Sequence, residues 1–393
     1  MSKSGKKART RVASKKSMAP QSPVVQSRQI SHLRQLLLFV RAGGRCEFDG
    51  CNEYLFEHPL TLTVGNFSQM AHIVGFRENG PRGLDGVRPT DINNVDNLML
   101  LCPRCHKLID DHPADYTRRT LEDFKRSHER RIRYLTSLGA DRRTSVIVLK
   151  AKIAGHTISV PFDQIVEATV PRYPITRDPL NIDLTTIATG ETFNASACAT
   201  ISLRVAETFK PEGEATKAGH VSVFALGPMA VLAFLGSQLT SKVPVDLFQR
   251  HRDTESWTWK RDGPPVSYKI DKVQAGDAKK VAVVFSLSGK IDLSRLPDDT
   301  RRRSIYEVTL EGLVPTTTFL RTRQDLDAFR LVYQELLATI AANHGYLEEV
   351  DVFPAVPAPI AVLIGRERLQ RVHPRMRVFD QDHATGWTYQ LTV

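Results

Sequence analysis

The sequence predicts two folded units in series: a small α+β unit stapled by a metal, and a larger α/β unit built from a duplicated motif. Three observations predict this. Two cysteine pairs, Cys46/Cys51 and Cys102/Cys105, lie in the first third of the chain, and a weak internal repeat runs through the second half. Charge changes between the two regions: residues 1–140 hold 23 Lys and Arg against 14 Asp and Glu, and the remainder holds 31 against 29. A length of 393 residues is enough for two or three separate cores. Hydrophobic content of 41% and charged content of 25% are those of a soluble globular chain. The longest apolar run, 221–236, is too short to span a bilayer and is broken by Gly227 and Pro228. No stretch near the start joins an apolar segment to a cleavage site. Four of the five cysteines fall in metal-type pairs and Cys198 is alone, so a reducing cytoplasm is expected, with no membrane partner.

Residues 1–28 carry eight basic side chains and no acidic one, and read as a disordered basic tail, either solvated or in contact with DNA. The first unit is expected over 29–140. Leu33, Leu36, Leu37 and Val40 recur at helical spacing over 30–41, and Gly43-Gly44 stops that helix. The segment 46–51 is a tight turn and 60–64 is strand-like. A Gly- and Pro-containing loop over 75–90 then leads through Asn93-Asn-Val-Asp-Asn97 to the apolar run that ends at Cys102. Thr120 is the expected N-cap of a helix over 121–138 with Leu121, Phe124, Ile132 and Leu135 inward. Its other face carries Lys125, Arg126, Arg130, Arg131 and Arg133, which is either a solvated face or, through Arg126, Arg130 and Arg133, a DNA-phosphate contact.

Residues 141–159 read as a linker, centred on 139–143, and a strand pair over 145–153 and 157–160 around Gly155, and 160–393 as the second unit of alternating strands and helices. Within it, 224–236 aligns with 353–365, matching Phe, Pro228 with Pro357, and the closing Gly at an offset of 129. Phe248…Trp257-Thr-Trp259 aligns with Phe379…Trp387-Thr-Tyr389, and the helical stretch 192–209 has its counterpart at 326–343. The repeat thus spans about 192–260 and 326–389. Two such copies would pack about a pseudo-two-fold axis, with their strand-end loops on one crevice.

Two separated thiolate pairs are the ligand pattern of a tetrahedral structural Zn²⁺ on Cys46, Cys51, Cys102 and Cys105. His106 follows the last cysteine and is surplus to that set. Read together, Ala71-His72-Ile73, Asn97-Leu98 and Cys102-x-x-Cys105-His106 resemble the HNH endonuclease family over about residues 41–112. The resemblance implies a ββα-metal fold that hydrolyses phosphodiesters. It makes His72 the general base, a role suited to imidazole near neutral pH. Asn97 would tie the ββ loop, and His106 would be a ligand of a catalytic Mg²⁺ or Mn²⁺. Many family members carry an acid or a histidine just before the base; here that position is Ala71. Asp110, at i+4 from His106, is the first candidate for the second ligand, ahead of Asp111 and His112.

Residues 160–393, with the 221–236 run, the Trp-Thr-Trp segment and 352–359, resemble the SAVED domain, itself similar to two fused CARF-like Rossmannoid units. An HNH domain followed by SAVED resembles the effectors of bacterial CBASS antiphage signalling. That implies a cyclic di- or trinucleotide that binds SAVED and switches on cleavage of double-stranded DNA through homo-oligomerisation. Candidate ligand-binding residues are Arg250, Arg252, Trp257 and Trp259 for bases and phosphates, and the loops at Pro228 and Pro357. Trp257 and Trp259 alternate, which leaves a core role open for at least one. Two other readings are a non-catalytic zinc-ribbon DNA-binding regulator and an HNH restriction nuclease that needs no second messenger. The near-neutral charge of 141–393 argues against DNA as the main partner of that half.

Overall fold

The computed structural model describes residues 29–153, 155–382 and 386–393, so the basic tail at 1–28 lies outside the described residues. The chain divides into two compact units, Met1–Ser137 and Leu138–Val393. No helix among the described residues is long and apolar enough to cross a membrane.

In the first unit, α1 (His32–Ala42) stops at Gly43, whose left-handed φ of 62° lets its N–H reach Phe39 O and Val40 O. β1 (Gln69–His72) pairs antiparallel with β2 (Leu98–Leu101), setting His72 opposite Leu98. α2 (Pro103–Asp111) follows directly, with Cys102 as its N-cap and a proline in its first turn. α3 (Arg118–Thr136) is capped by Thr117, whose side chain accepts from Thr120 N. The core gathers Leu38, Ala42, Leu55, Ile73, the whole of β2, Ile109 and Leu121.

Four expectations differ here. α1 turns Leu38 and Ala42 inward, while Leu33, Leu36, Leu37 and Val40 stand 40–65% exposed. α3 starts one turn earlier than its apolar periodicity suggests, because a polar first turn is set by the cap and not by burial. Its Leu135 is exposed, whereas Lys125 is buried beside Glu129 and Glu47. The 60–64 segment forms only a bridge, Glu57 to Val64, with Leu60 and Leu62 in solvent.

The second unit begins with β3 (Arg143–Lys150), α4 (Phe162–Thr169), β4 (Tyr173–Pro174) and β5 (Leu180–Asp183). It continues with α5 (Phe193–Phe209), α6 (Glu214–Ala218), β6 (Val221–Leu226), α7 (Met229–Gln238) and β7 (Val245–Phe248). β3, β4, β5, β6 and β7 make one parallel sheet. The strand expected over 145–153 is thus present as β3, but it joins the sheet instead of pairing across Gly155. β3 is a central strand, paired from Ser145↔Val221 to Lys150↔Leu226. Its unbroken run Val146-Ile-Val-Leu149 is the signature of a strand covered on both faces. The strand pair around Gly155 reduces to a single bridge, Ile153 to His156.

The second sheet contains β8 (Tyr268–Gln274), β9 (Asp277–Ser286) and β10 (Arg303–Leu310). After α8 (Arg323–His344) come β11 (Glu349–Ala355), α9 (Ala358–Glu367), β12 (Arg375–Asp382) and β13 (Gly386–Thr392). The order is β13-β12-β11-β9-β10-β8, parallel in the middle and antiparallel at both edges. The main core lies where both sheets face α5, α7, α8 and α9.

The duplication is visible in the packing. Phe224 stacks on Phe248 at 4.5 Å and meets Trp257 edge-on at 5.3 Å. Phe353 stacks on Phe379 at 4.6 Å and meets Trp387 edge-on at 5.4 Å. α7 and α9 cross at their matched glycines. A Cβ on Gly236 would lie 1.9 Å from Val362 O, and one on Gly365 would lie 1.8 Å from Ala233 O. Residue 362 is the repeat partner of 233, so the two contacts exchange under a pseudo-two-fold axis.

Candidate functional site

The four cysteines of the first unit come together from two places. Cys46 and Cys51 bracket the turn after α1, and Cys102 and Cys105 bracket the start of α2. Their Sγ atoms all lie within 4.8 Å of one another, with Cys51 and Cys102 at 4.0 Å. Tetrahedral zinc with bonds near 2.3 Å needs sulfurs about 3.8 Å apart, so the donor set fits that ion. Burial pushes the Cys46 thiol up to about 12 and the Cys105 thiol higher still. Four thiols clustered this closely ionise together only if a cation shares the site. Cys102 Sγ also accepts from Cys105 N and Cys46 Sγ from Cys102 N, each at 3.4 Å.

The turn that holds the thiols also carries His106, on the first turn of α2. His106 Nε2 lies 3.5 Å from Asp110 Oδ2. Adjacent ligands of one Mg²⁺ at about 2.1 Å stand roughly 3 Å apart, so this pair fits one cation with little adjustment. Asp110 is shared, however. Its Oδ1 accepts from Arg82 Nη2 at 3.0 Å, and the buried Arg82 also donates to Ile73 O and Ile109 O. Asp111 pairs with Lys107 and the exposed His112 faces Asp115 at 4.0 Å, so neither is joined to His106. Among the described residues, the only group of three or more potential ligands is the cysteine cluster.

His72 ends β1, half-buried, with its ring edge-on to Phe76 at 5.8 Å. Its Nε2 lies 2.9 Å from Asn93 Oδ1. Burial holds its pKa below the ordinary histidine value, with the charges of His106 and Arg88 acting in the same direction. Asn97 is buried and bonds the backbone three times: Oδ1 accepts from Val74 N at 2.9 Å, and Nδ2 donates to Val74 O and Ile92 O. The backbone that follows His72 is thereby locked to the start of β2. Asn93 is the residue that sequence reasoning passed over. It was one polar residue in an Asn-rich turn, and no spacing rule singles out which amide meets the ring.

Arg126, Arg130 and Arg133 line a cleft of about 830 Å³ between α1 and α3, shared with Arg41, Val40, Glu122 and Glu129. Arg126 is already paired with Asp123 at 2.8 Å.

In the second unit, Pro228 and Pro357 are the N-caps of α7 and α9, at the carboxyl ends of β6 and β11. Trp257 is fully buried against Phe224, the core role left to at least one of the two tryptophans, and its ring offers no exposed face to a ligand. It reaches the core from irregular chain at 251–260 and not from the strand face expected. Trp259 is half-buried and donates from Nε1 to Leu247 O at 3.2 Å. Arg250 faces Glu255 at 3.4 Å, and Arg252 is exposed. Asp380, at the end of β12, reaches the first turn of α7, where Ala230 N donates to its Oδ2 at 3.4 Å. Burial raises this carboxyl to about 6 even so. The repeat places Gln249 at the equivalent position after Phe248, and its Oε1 is buried without a partner.

Comparison with known families matches residues 46–113 to the HNH endonucleases. It matches residues 201–393 to the sensor domain described as SMODS-associated and fused to various effectors, SAVED. No curated protein matches the chain. Among solved structures, the Acinetobacter baumannii Cap4 SAVED/CARF-domain receptor with the cyclic trinucleotide 2'3'3'-cAAA aligns at a TM-score of 0.42 and 10% identity, over 74% of this chain and 60% of that one. The Moraxella osloensis Cap4 receptor aligns at 0.37 and 12%, over 74% and 60%. The chain thus spans about 60% of the length of these solved structures. This chain carries an HNH domain over residues 46–113 and, in series with it, a SAVED domain over 201–393.

Proposed function

We propose that this chain is a metal-dependent DNA endonuclease switched on by a cyclic di- or trinucleotide, an effector of CBASS-type antiphage defence. The observation that carries the reading is the grouping of His72, Asn97, His106 and Asp110 on one zinc-fitted ββα frame, in the same chain as a nucleotide-sensing domain. His72 acts as the general base toward water. Burial keeps its imidazole neutral at pH 7, so its lone pair is available without prior deprotonation. Asn97 holds the strand ends that carry the ring. His106 and Asp110 would hold a Mg²⁺ or Mn²⁺, which supplies a Lewis acid at the scissile phosphate. Cys46, Cys51, Cys102 and Cys105 would hold a structural Zn²⁺ that fixes the start of α2. Asp110 is restrained by Arg82, so it would hold the cation only weakly while that ion pair stands. The ligand would act by assembling protomers into a form that completes the site.

The test is digestion of plasmid DNA with and without each cyclic di- and trinucleotide in Mg²⁺ or Mn²⁺, with particle mass measured in parallel. Cleavage that appears with one ligand together with a mass increase is expected. Full-rate cleavage without ligand would remove the sensor from the scheme, and DNA retention with no cleavage under any condition would leave only a zinc-dependent DNA-binding regulator.

A further inference from the structure

The His72 ring is held by one side-chain partner whose chemistry decides which of its nitrogens is basic. Asn93 Oδ1 can only accept, and it stands 2.9 Å from Nε2. The proton must then reside on Nε2, which leaves the lone pair on Nδ1. Asn93 is itself fixed through the peptide that precedes it. Its backbone N–H donates to Asp91 Oδ1 at 3.2 Å, and Asp91 is gripped by both terminal nitrogens of Arg34 from α1. The other end of that peptide, the carbonyl of Ile92, accepts from Asn97 Nδ2 at 2.9 Å. Asn93 is 5% exposed. A buried amide anchored through two neighbours is a stiff stop for an imidazole that also meets Phe76 edge-on.

We infer that Asn93 is a positioning residue that selects the Nε2–H tautomer of His72 and aims Nδ1 as the base, with Arg34 and Asp91 fixing it from α1. This rests on the nuclease reading for its catalytic consequence, although the tautomer itself does not. The pairing gives Asn97 and Asn93 separate duties: one holds the backbone of the base and the other holds its ring.

The test uses the full-length, zinc-loaded chain labelled with ¹⁵N-histidine. Long-range ¹H–¹⁵N spectra report the tautomer of each neutral ring, and His72→Gln identifies the His72 signals by their loss. The wild type is expected to show Nε2–H. Asn93→Ala should release the ring to a mixture of tautomers and lower kcat by about 10- to 100-fold, the range typical of partners that orient a functional histidine, with KM unchanged. Asn93→Asp keeps an acceptor in place and should restore the Nε2–H tautomer, with most of kcat regained only at alkaline pH, because the added carboxylate raises the His72 pKa. A wild-type ring protonated on Nδ1 would overturn the proposal, as would an unchanged tautomer in a folded Asn93→Ala protein. Should the alanine variant not fold, the wild-type and Asn93→Asp spectra still decide. If the chain never cleaves DNA, the nuclease reading falls while the spectra still decide the His72–Asn93 pair.

Discussion

The crossing of α7 and α9 gives a prediction whose size can be worked from distances. In Gly365→Ala the new methyl would sit 1.8 Å from Ala233 O, 2.7 Å from Ala233 C and 3.1 Å from Ala233 Cα. A carbon rests about 3.3 Å or more from a carbonyl oxygen, so the helices must part by roughly 1.5 Å. Both helices are buried over most of their length, and neither can move without opening the core around it. Overpacking of this kind costs about 3 kcal/mol, at the upper end of the usual range. Alanine recovers about 1 kcal/mol through its better helix propensity. The clash wins, with a net loss of about 2 kcal/mol. For a unit of this size that lowers Tm by about 4–8 °C. Differential scanning calorimetry of the full chain measures it, the C-terminal transition being the one that zinc chelation leaves in place. Gly236→Ala should lose a similar amount, because its contact is the repeat equivalent. Gly289→Ala, with nothing within 4 Å of its added carbon, should stay within about 1 °C. A Gly365→Ala protein that melts within 2 °C of wild type would refute the close approach of the two helices.

Three further outcomes follow from the first unit. The cleavage rate should be flat around pH 7–8 and lose activity only on the acid side of 6.5, because a base with a lowered pKa stays unprotonated to lower pH; an acid limb centred above 7, read from kcat/KM against pH, would contradict this. Cys102→Ser should leave less than one zinc per chain by elemental analysis and lower the melting temperature of the N-terminal unit by more than about 10 °C, since metal binding in such sites is folding free energy. Replacing Arg130 and Arg133 by alanine should weaken DNA binding across sequences and reduce the slope of log affinity against log salt by up to about 1.8; an unchanged slope would assign those side chains to solvent.

Much of the first unit is legible in the sequence because its signals are short-range. Cys102-x-x-Cys105 fixes a helix start, Gly43 fixes a helix end, and one antiparallel register follows from the two strands that the cysteines bracket. What is hidden are properties of the assembled surface. Periodicity identifies α1 as a helix, but four apolar side chains point out and Leu38 and Ala42 point in, because the apolar positions cover more of the helix than the core can bury. Lys125 reads as a member of a basic face, yet Glu47 and Glu129 draw it inside. The partnership of His72 with Asn93 spans 21 residues and depends on the path of the intervening loop. In the second unit the repeat is readable because duplicated aromatic contacts constrain both copies. β3 is legible as a strand but its place in the core is not, because it lies outside the repeat boundaries and its partners are distant in sequence. Trp257 takes the core role that its alternation with Trp259 leaves to one of the pair, but from irregular chain, which two-residue alternation cannot reveal.

The two copies are alike in backbone but not in the chemistry at their strand ends. Where β12 presents the carboxyl of Asp380 to α7, the matching position after β7 presents the amide of Gln249. The two strand ends therefore differ inside the fold: one carries a buried acid met by a helix N–H, the other a buried amide oxygen with no partner. Duplication left two matched backbones, and a single pair of side chains makes their interiors unequal in charge.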